Sequence, residues 1–295
     1  MTTTQVLPST EAWNGALYGR FRFLLGLYLA VHFFHLVPWA AEIFSSQGVL
    51  PDARLSPLTR LFPNVLTLLD GPGFVTALVA LAGLAGLGLA FGVVDRSLAV
   101  FLLYVLACLF GRNPLIANPS LPYVGWVLLA HAALPALPMG VGLWRSADAA
   151  RGWTFSRPLY AAAWILLAAG YSFSGYTKLV SPSWLDGTAI ARVLESPLAR
   201  PGVLRQALVG LPSGWLETGT YAALGLELFF LPLALLPRLR PWLWLALLAM
   251  HLGLMGLVAF ADLSFGMVLV HLFVADPAWL RCLQVKPARR TKPAS

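Results

Sequence analysis

Apolar residues fall along this chain in blocks near the ~20-residue length of a helix that crosses a bilayer, with the polar residues gathered between them. The blocks predict eight helical spans, at about 16–44, 73–94, 97–110, 121–143, 158–179, 215–236, 241–260 and 263–279. Proline marks several of their edges. Pro158 suits a first helical turn, and Pro135 and Pro138 are expected to bend the second half of the fourth span. In the second span Ala82, Gly86 and Ala90 recur every four residues, as do Gly88 and Gly92. Small residues at that spacing let helices approach closely. A loop over 45–72 carries Pro51, Pro57, Pro63 and Pro72, and a polar connection of about thirty residues follows the fifth span. Nothing outside the spans is long or apolar enough to build a soluble core.

Composition supports the same picture. The chain is 59% hydrophobic and 11% charged, with a mean hydropathy of +0.76, whereas soluble domains carry roughly 25% charged residues. An all-α, polytopic membrane helical bundle is expected: a segment 1–15, one transmembrane domain over 16–280, and a basic tail 281–295. The net charge of +8 is explained by topology and does not point to nucleic acid. With the N-terminus inside, only Arg54, Arg60, Arg112, Lys178, Arg192, Arg200 and Arg205 of the 20 basic residues fall on the outer side. The short inner turns at Asp95-Arg96 and Arg238-Leu239-Arg240 are basic, as the positive-inside rule asks. Both termini are therefore expected in the cytoplasm and the protein in a bacterial inner or plasma membrane, its tail anchored to anionic lipid. Residues 1–14 lack the basic start of a cleavable signal peptide, so the first helix is expected to stay. Cys108 and Cys282 form no C-x-x-C pair.

The fifth span ends in Tyr171-Ser-Phe-Ser-Gly175-Tyr-Thr-Lys178, followed by Trp184, Asp186 and Gly187. Tyr171 and Lys178 are two turns apart and share a face; Trp164 lies on the same stripe and Gly175 beside it. A flat hydrophobic ligand fits such a surface, with the glycine leaving room near the amine. Taking an ammonium out of water favours the neutral amine, which is a base or nucleophile. The plainer reading is a lysine that snorkels to the headgroups. On the same outer side, Arg112, Asn113, Asn118 and Tyr123 form candidate pocket walls, although Asn-Pro pairs are also ordinary turn formers. His32, His35, His131, Glu227, His251 and His271 lie within the spans. Glu227 must be protonated or paired there, with His251 a candidate partner, and His131 reads as an interhelical hydrogen-bonding group. No helical metal-ligand spacing appears, so no metal is expected.

These residues carry a resemblance. Tyr171-x-x-x-Gly175-x-x-Lys178-Leu followed by Trp184 resembles a helix end in the family of vitamin K-dependent gamma-glutamyl carboxylase and the related bacterial HTTM (horizontally transferred transmembrane) proteins. The Arg22-containing start of the first span, Gly48-Val-Leu-Pro51, Arg112-Asn113-Pro114, Trp184-Leu-Asp186-Gly187-Thr-Ala189, and a Glu227 helix before a His251 helix agree with it, in order, from about Ala16 to Trp279. The resemblance implies a vitamin K-like quinol as cofactor and Lys178 as the base that deprotonates it. In the carboxylase, oxygenation of the quinol then drives proton removal from a glutamate side chain and addition of carbon dioxide. Here Pro119 follows Asn118 where the carboxylase has a histidine, and the carboxylase's soluble substrate domain has no counterpart.

Two functions follow as expectations. The first is a membrane-embedded, quinol-handling enzyme with Lys178 as base and Tyr171, Arg112, Asn118 and Trp184 around the pocket. The second is a non-catalytic lipid- or quinone-binding accessory, maturation or immunity factor serving a secreted or periplasmic peptide or a partner membrane protein. A transporter is disfavoured, because no matching pair of interrupted spans signals inverted repeats.

Overall fold

Asn14 starts the first helix, its side chain accepting the Leu17 N–H at 2.9 Å, and α1 (Gly15–Leu36) runs until Pro38 interrupts it. A short α2 (Ala40–Phe44) follows. The computed structural model describes residues 13–116 and 118–281. The chain continues through α3 (Pro72–Phe91), α4 (Asp95–Arg112), α5 (Leu121–Ala133), α6 (Arg157–Lys178), α7 (Pro182–Leu185), α8 (Ala189–Glu195) and α9 (Val203–Val209). It ends with α10 (Ser213–Leu228), α11 (Phe230–Ala234), α12 (Arg240–Leu257), α13 (Ala261–Val274) and α14 (Pro277–Arg281). The protein is all-helical, and no strand occurs among the described residues. Cys282, most of the segment 1–15 and nearly all of the basic tail lie outside the described residues.

Each of the eight apolar blocks contains helix. Three helical stretches are long and apolar enough to cross a membrane: Gly15–Phe44, α3 and α12; α5 and α13 are apolar but shorter. The others fall short for local reasons. Asp95, Arg96 and Arg112 lie within α4, and the last two turns of α6 are polar. The fourth block does not bend at its prolines as expected but stops being helical at Ala133. Leu134, held extended at ψ 158°, obeys the rule that the residue before a proline avoids the helical region. The sixth block is broken at Phe229. Pro232 cannot share a regular helix with the carbonyl four residues earlier, and the freed Leu231 N–H donates to Ser172 Oγ of α6 at 2.9 Å. The connection after α6 is not irregular; it folds as α7, α8 and α9 and docks on the end of α12, with Ala259 N donating to Leu198 O at 2.7 Å.

Close helix packing rests on glycine. A Cβ on Gly26 would strike the backbone of Ala90, and one on Gly86 would lie 2.6 Å from the Ala30 nitrogen, so α1 and α3 meet backbone to backbone. Near the start of α1, fully buried Arg22 donates to Asp95 of α4 at 2.6 Å. The Asp95 carboxylate also lies 3.5 Å from His131 of α5, and His131 Nδ1 pairs with the Tyr18 hydroxyl at 2.8 Å. One buried polar chain thus ties α1, α4 and α5 together.

Candidate functional site

The end of α6 brings Lys178 against Glu227 of α10, ammonium to carboxylate. The side chains are 21% and 6% exposed, so the carboxylate is held out of water and the amine is reachable. Three features of the chain set this up. Gly175 allows α10 to press on α6: its missing Cβ would lie 2.6 Å from Leu228 Cα. The break at Phe229 frees the end of α10 one residue after Glu227. After Lys178 the chain turns back at once, with Ser181 N donating to Lys178 O at 3.0 Å. That turn lays the Trp184 ring under the ammonium, 4.6 Å from Nζ to the ring centre, a cation–π contact. Tyr221 of α10 holds the same turn by donating to Leu185 O at 3.0 Å.

Two turns earlier along the same face of α6, Tyr171 is buried between two histidines. Its hydroxyl lies 2.8 Å from His251 Nε2 of α12 and 3.3 Å from His271 Nε2 of α13. His271 Nδ1 is 2.8 Å from the Met267 carbonyl, which makes Nδ1 the protonated nitrogen and Nε2 an acceptor. The consistent pattern has Tyr171 donating to His271 and accepting from His251 Nε2–H. It leaves His251 Nδ1 as a bare acceptor, and that atom is buried without a partner. The Lys178 and Glu227 charges act on this cluster, on His251 and Tyr171 respectively. Tyr123 of α5 also belongs here, its hydroxyl filling the space beside Gly170 within electrostatic reach of Glu227.

Other expected site residues lie elsewhere. Glu227 pairs with Lys178, not with His251. Gly175 does not open room for a ligand, because the α10 backbone takes that room. Arg112 is fully buried and spends its guanidinium on the carbonyls of Leu50, Ser45 and Pro51 at 2.7, 3.1 and 3.2 Å, clamping the 45–51 loop to α4. Asn113 donates to Ile43 O at 2.9 Å. Asn118 donates to Asp262 Oδ2, on the far side of α13 from Tyr171. Asp186 is exposed, its carboxylate accepting from the Thr188 hydroxyl and N–H at 2.6 and 2.9 Å. Those hydrogen bonds hold its pKa below the usual carboxylate range. His131 belongs to the buried chain near the start of α1.

Sequence reasoning passed over Ser172, Tyr18, Asp95 and Asp262. Asp95 reads as half of a basic inner turn, and nothing in the sequence pattern singles out Asp262; only the fold supplies their partners. Among the described residues no three acidic, histidine or cysteine side chains converge to hold a metal ion. Compared with models of known protein families, with curated proteins and with solved structures, the chain matches none.

Proposed function

We propose that this is an integral membrane protein with eight spans and both termini cytoplasmic, and that the outer end of α6 is a proton-transfer site acting on a quinol or a similarly flat lipid. The Lys178–Glu227 pair carries this reading. An ammonium set against a carboxylate that is held out of water can pass its proton to that carboxylate. When that proton sits on Glu227, Lys178 is a neutral amine and a base. On taking a proton from a donor, the pair ends as ammonium beside carboxylic acid.

The chain's own residues suit a flat aromatic ligand. Trp184 presents a ring at the amine, Tyr123 and Tyr171 stand nearby, and the lysine tip stays accessible. A bound quinol supplies the acidic hydroxyl. On this reading Tyr171, His251 and His271, hydrogen-bonded to one another and within electrostatic reach of the pair, are the groups that would take its proton onward. Carboxylation itself is not part of the proposal: Asn118 stands apart from Lys178, and Pro119 occupies the position of the carboxylase histidine.

Mass spectrometry of lipid extracted from gently purified protein is expected to find a benzo- or naphthoquinone; phospholipid alone overturns the quinol. A retained quinone without turnover would assign the protein to the second function, a quinone-binding accessory. The topology is tested separately. Alkaline phosphatase fused after Ser181 is expected to be active and after Ser295 inactive, and activity at Ser295 overturns the two-cytoplasmic-ends arrangement.

A further inference from the structure

On the other side of α13 lies a cavity of about 810 Å³ between α1, α4, α5 and α13, within the range of small-molecule sites. It is walled mainly by aliphatic and phenyl side chains, Leu24, Val31 and Phe265 among the exposed ones, with Tyr28, His35 and Asn113 also lining it. A second apolar hollow of about 380 Å³ adjoins it across Leu106, Phe110 and Leu121. One end of the large cavity is polar. His32 Nδ1 sits 3.2 and 3.1 Å from the two carboxylate oxygens of Asp262, and Asn118 donates to Oδ2 of the same carboxylate. In the neutral ring, a carboxylate on Nδ1 makes that nitrogen the N–H and leaves Nε2 a bare acceptor. Among the described residues Nε2 has no hydrogen-bond partner, and His32 lines the cavity.

We infer that this cleft is a lipid site separate from Lys178, taking a neutral two-chain lipid whose head is a free hydroxyl that donates to His32 Nε2. Each alternative conflicts with the wall. Among the described residues no lysine or arginine lines the cavity and Asp262 does, so a phosphate head meets a carboxylate and no lysine or arginine. A quaternary ammonium head has no N–H to offer and leaves His32 Nε2 unpaired. A wholly apolar molecule leaves Nε2 unpaired. Two adjoining apolar hollows suit two chains. Asp262 lies nine residues before His271 on α13, about 13 Å along the axis at 1.5 Å per residue, so the site does not depend on the Lys178 reading.

Purified protein is tested for retention of radiolabelled 1,2-dioleoylglycerol, its 3-acetyl ester and dioleoyl phosphatidic acid. The free alcohol is expected to be held roughly tenfold better than the ester, the worth of one well-placed hydrogen bond, and better than the phosphatidic acid. His32→Ala is expected to erase the preference over the ester. Equal retention of alcohol and ester by the wild type, stronger retention of phosphatidic acid, or an unchanged preference in folded His32→Ala overturns the site. The wild-type comparison decides even where the variant does not fold.

Discussion

Lys178→Ala is expected to abolish quinol turnover in proteoliposomes and to lower the melting temperature, and the two losses are expected to separate in other variants. The stability loss comes from Glu227. Removing one partner of a buried ion pair costs about 3–5 kcal/mol when the other stays charged, and less when the carboxylate takes up a proton. Lys178→Arg restores a cation for Glu227 and should recover most of the stability. It should not recover turnover, because guanidinium does not give up its proton. Lys178→Met with Glu227→Leu removes both charges, and replacing a buried pair by apolar groups is often neutral or stabilising. That double variant should melt near the wild type and remain inactive. General acid–base groups are worth about 10²–10⁴-fold in rate, so the loss should be unmistakable. Full turnover in Lys178→Ala sinks the base; turnover in Lys178→Arg reduces Lys178 to an anchor for α10.

The helical blocks and the placement of Tyr171 and Lys178 on one helix could be read from the chain, because both are written in local terms: runs of apolar residues, and Tyr171 seven before Lys178. What could not be read is pairing across helices. Glu227 faces Lys178 instead of His251 because Gly175 sets the distance between α6 and α10 and Pro232 breaks the helix just beyond. Those are facts about two segments about fifty residues apart. Arg112 looked like a pocket wall from its place in an outer loop, yet it turns inward to carbonyls of the 45–51 loop, while Asn113 donates to Ile43 O and still lines the cavity beside α13; no spacing rule reveals either. Asn118 and Tyr123 are five residues apart and serve opposite sides of the bundle, since one precedes α5 and the other lies on its first turn.

That dependence on helix separation makes Gly175→Ala the sharpest test of how the site is held. The added methyl would sit 2.5 Å from Leu228 N, 2.6 Å from Leu228 Cα and 3.0 Å from the Glu227 carbonyl carbon. All three are backbone atoms, so no side chain can swing aside and α10 must move. Overpacking of this kind costs about 1–3 kcal/mol. The movement draws Glu227 from Lys178 and strains the Ser172 bond to Leu231 N that caps the break. Gly175→Ala should therefore melt lower, lose turnover, and leave Lys178 more reactive toward an amine-labelling reagent. Gly225→Ala is the matched control on α10. A Cβ there meets nothing within 4 Å, and alanine is favoured over glycine in a helix by about 1 kcal/mol, so this variant should melt at or above the wild type with turnover intact. Wild-type stability and labelling in Gly175→Ala would mean that α6 and α10 do not meet through Gly175, and the Lys178–Glu227 pair would lose its structural cause.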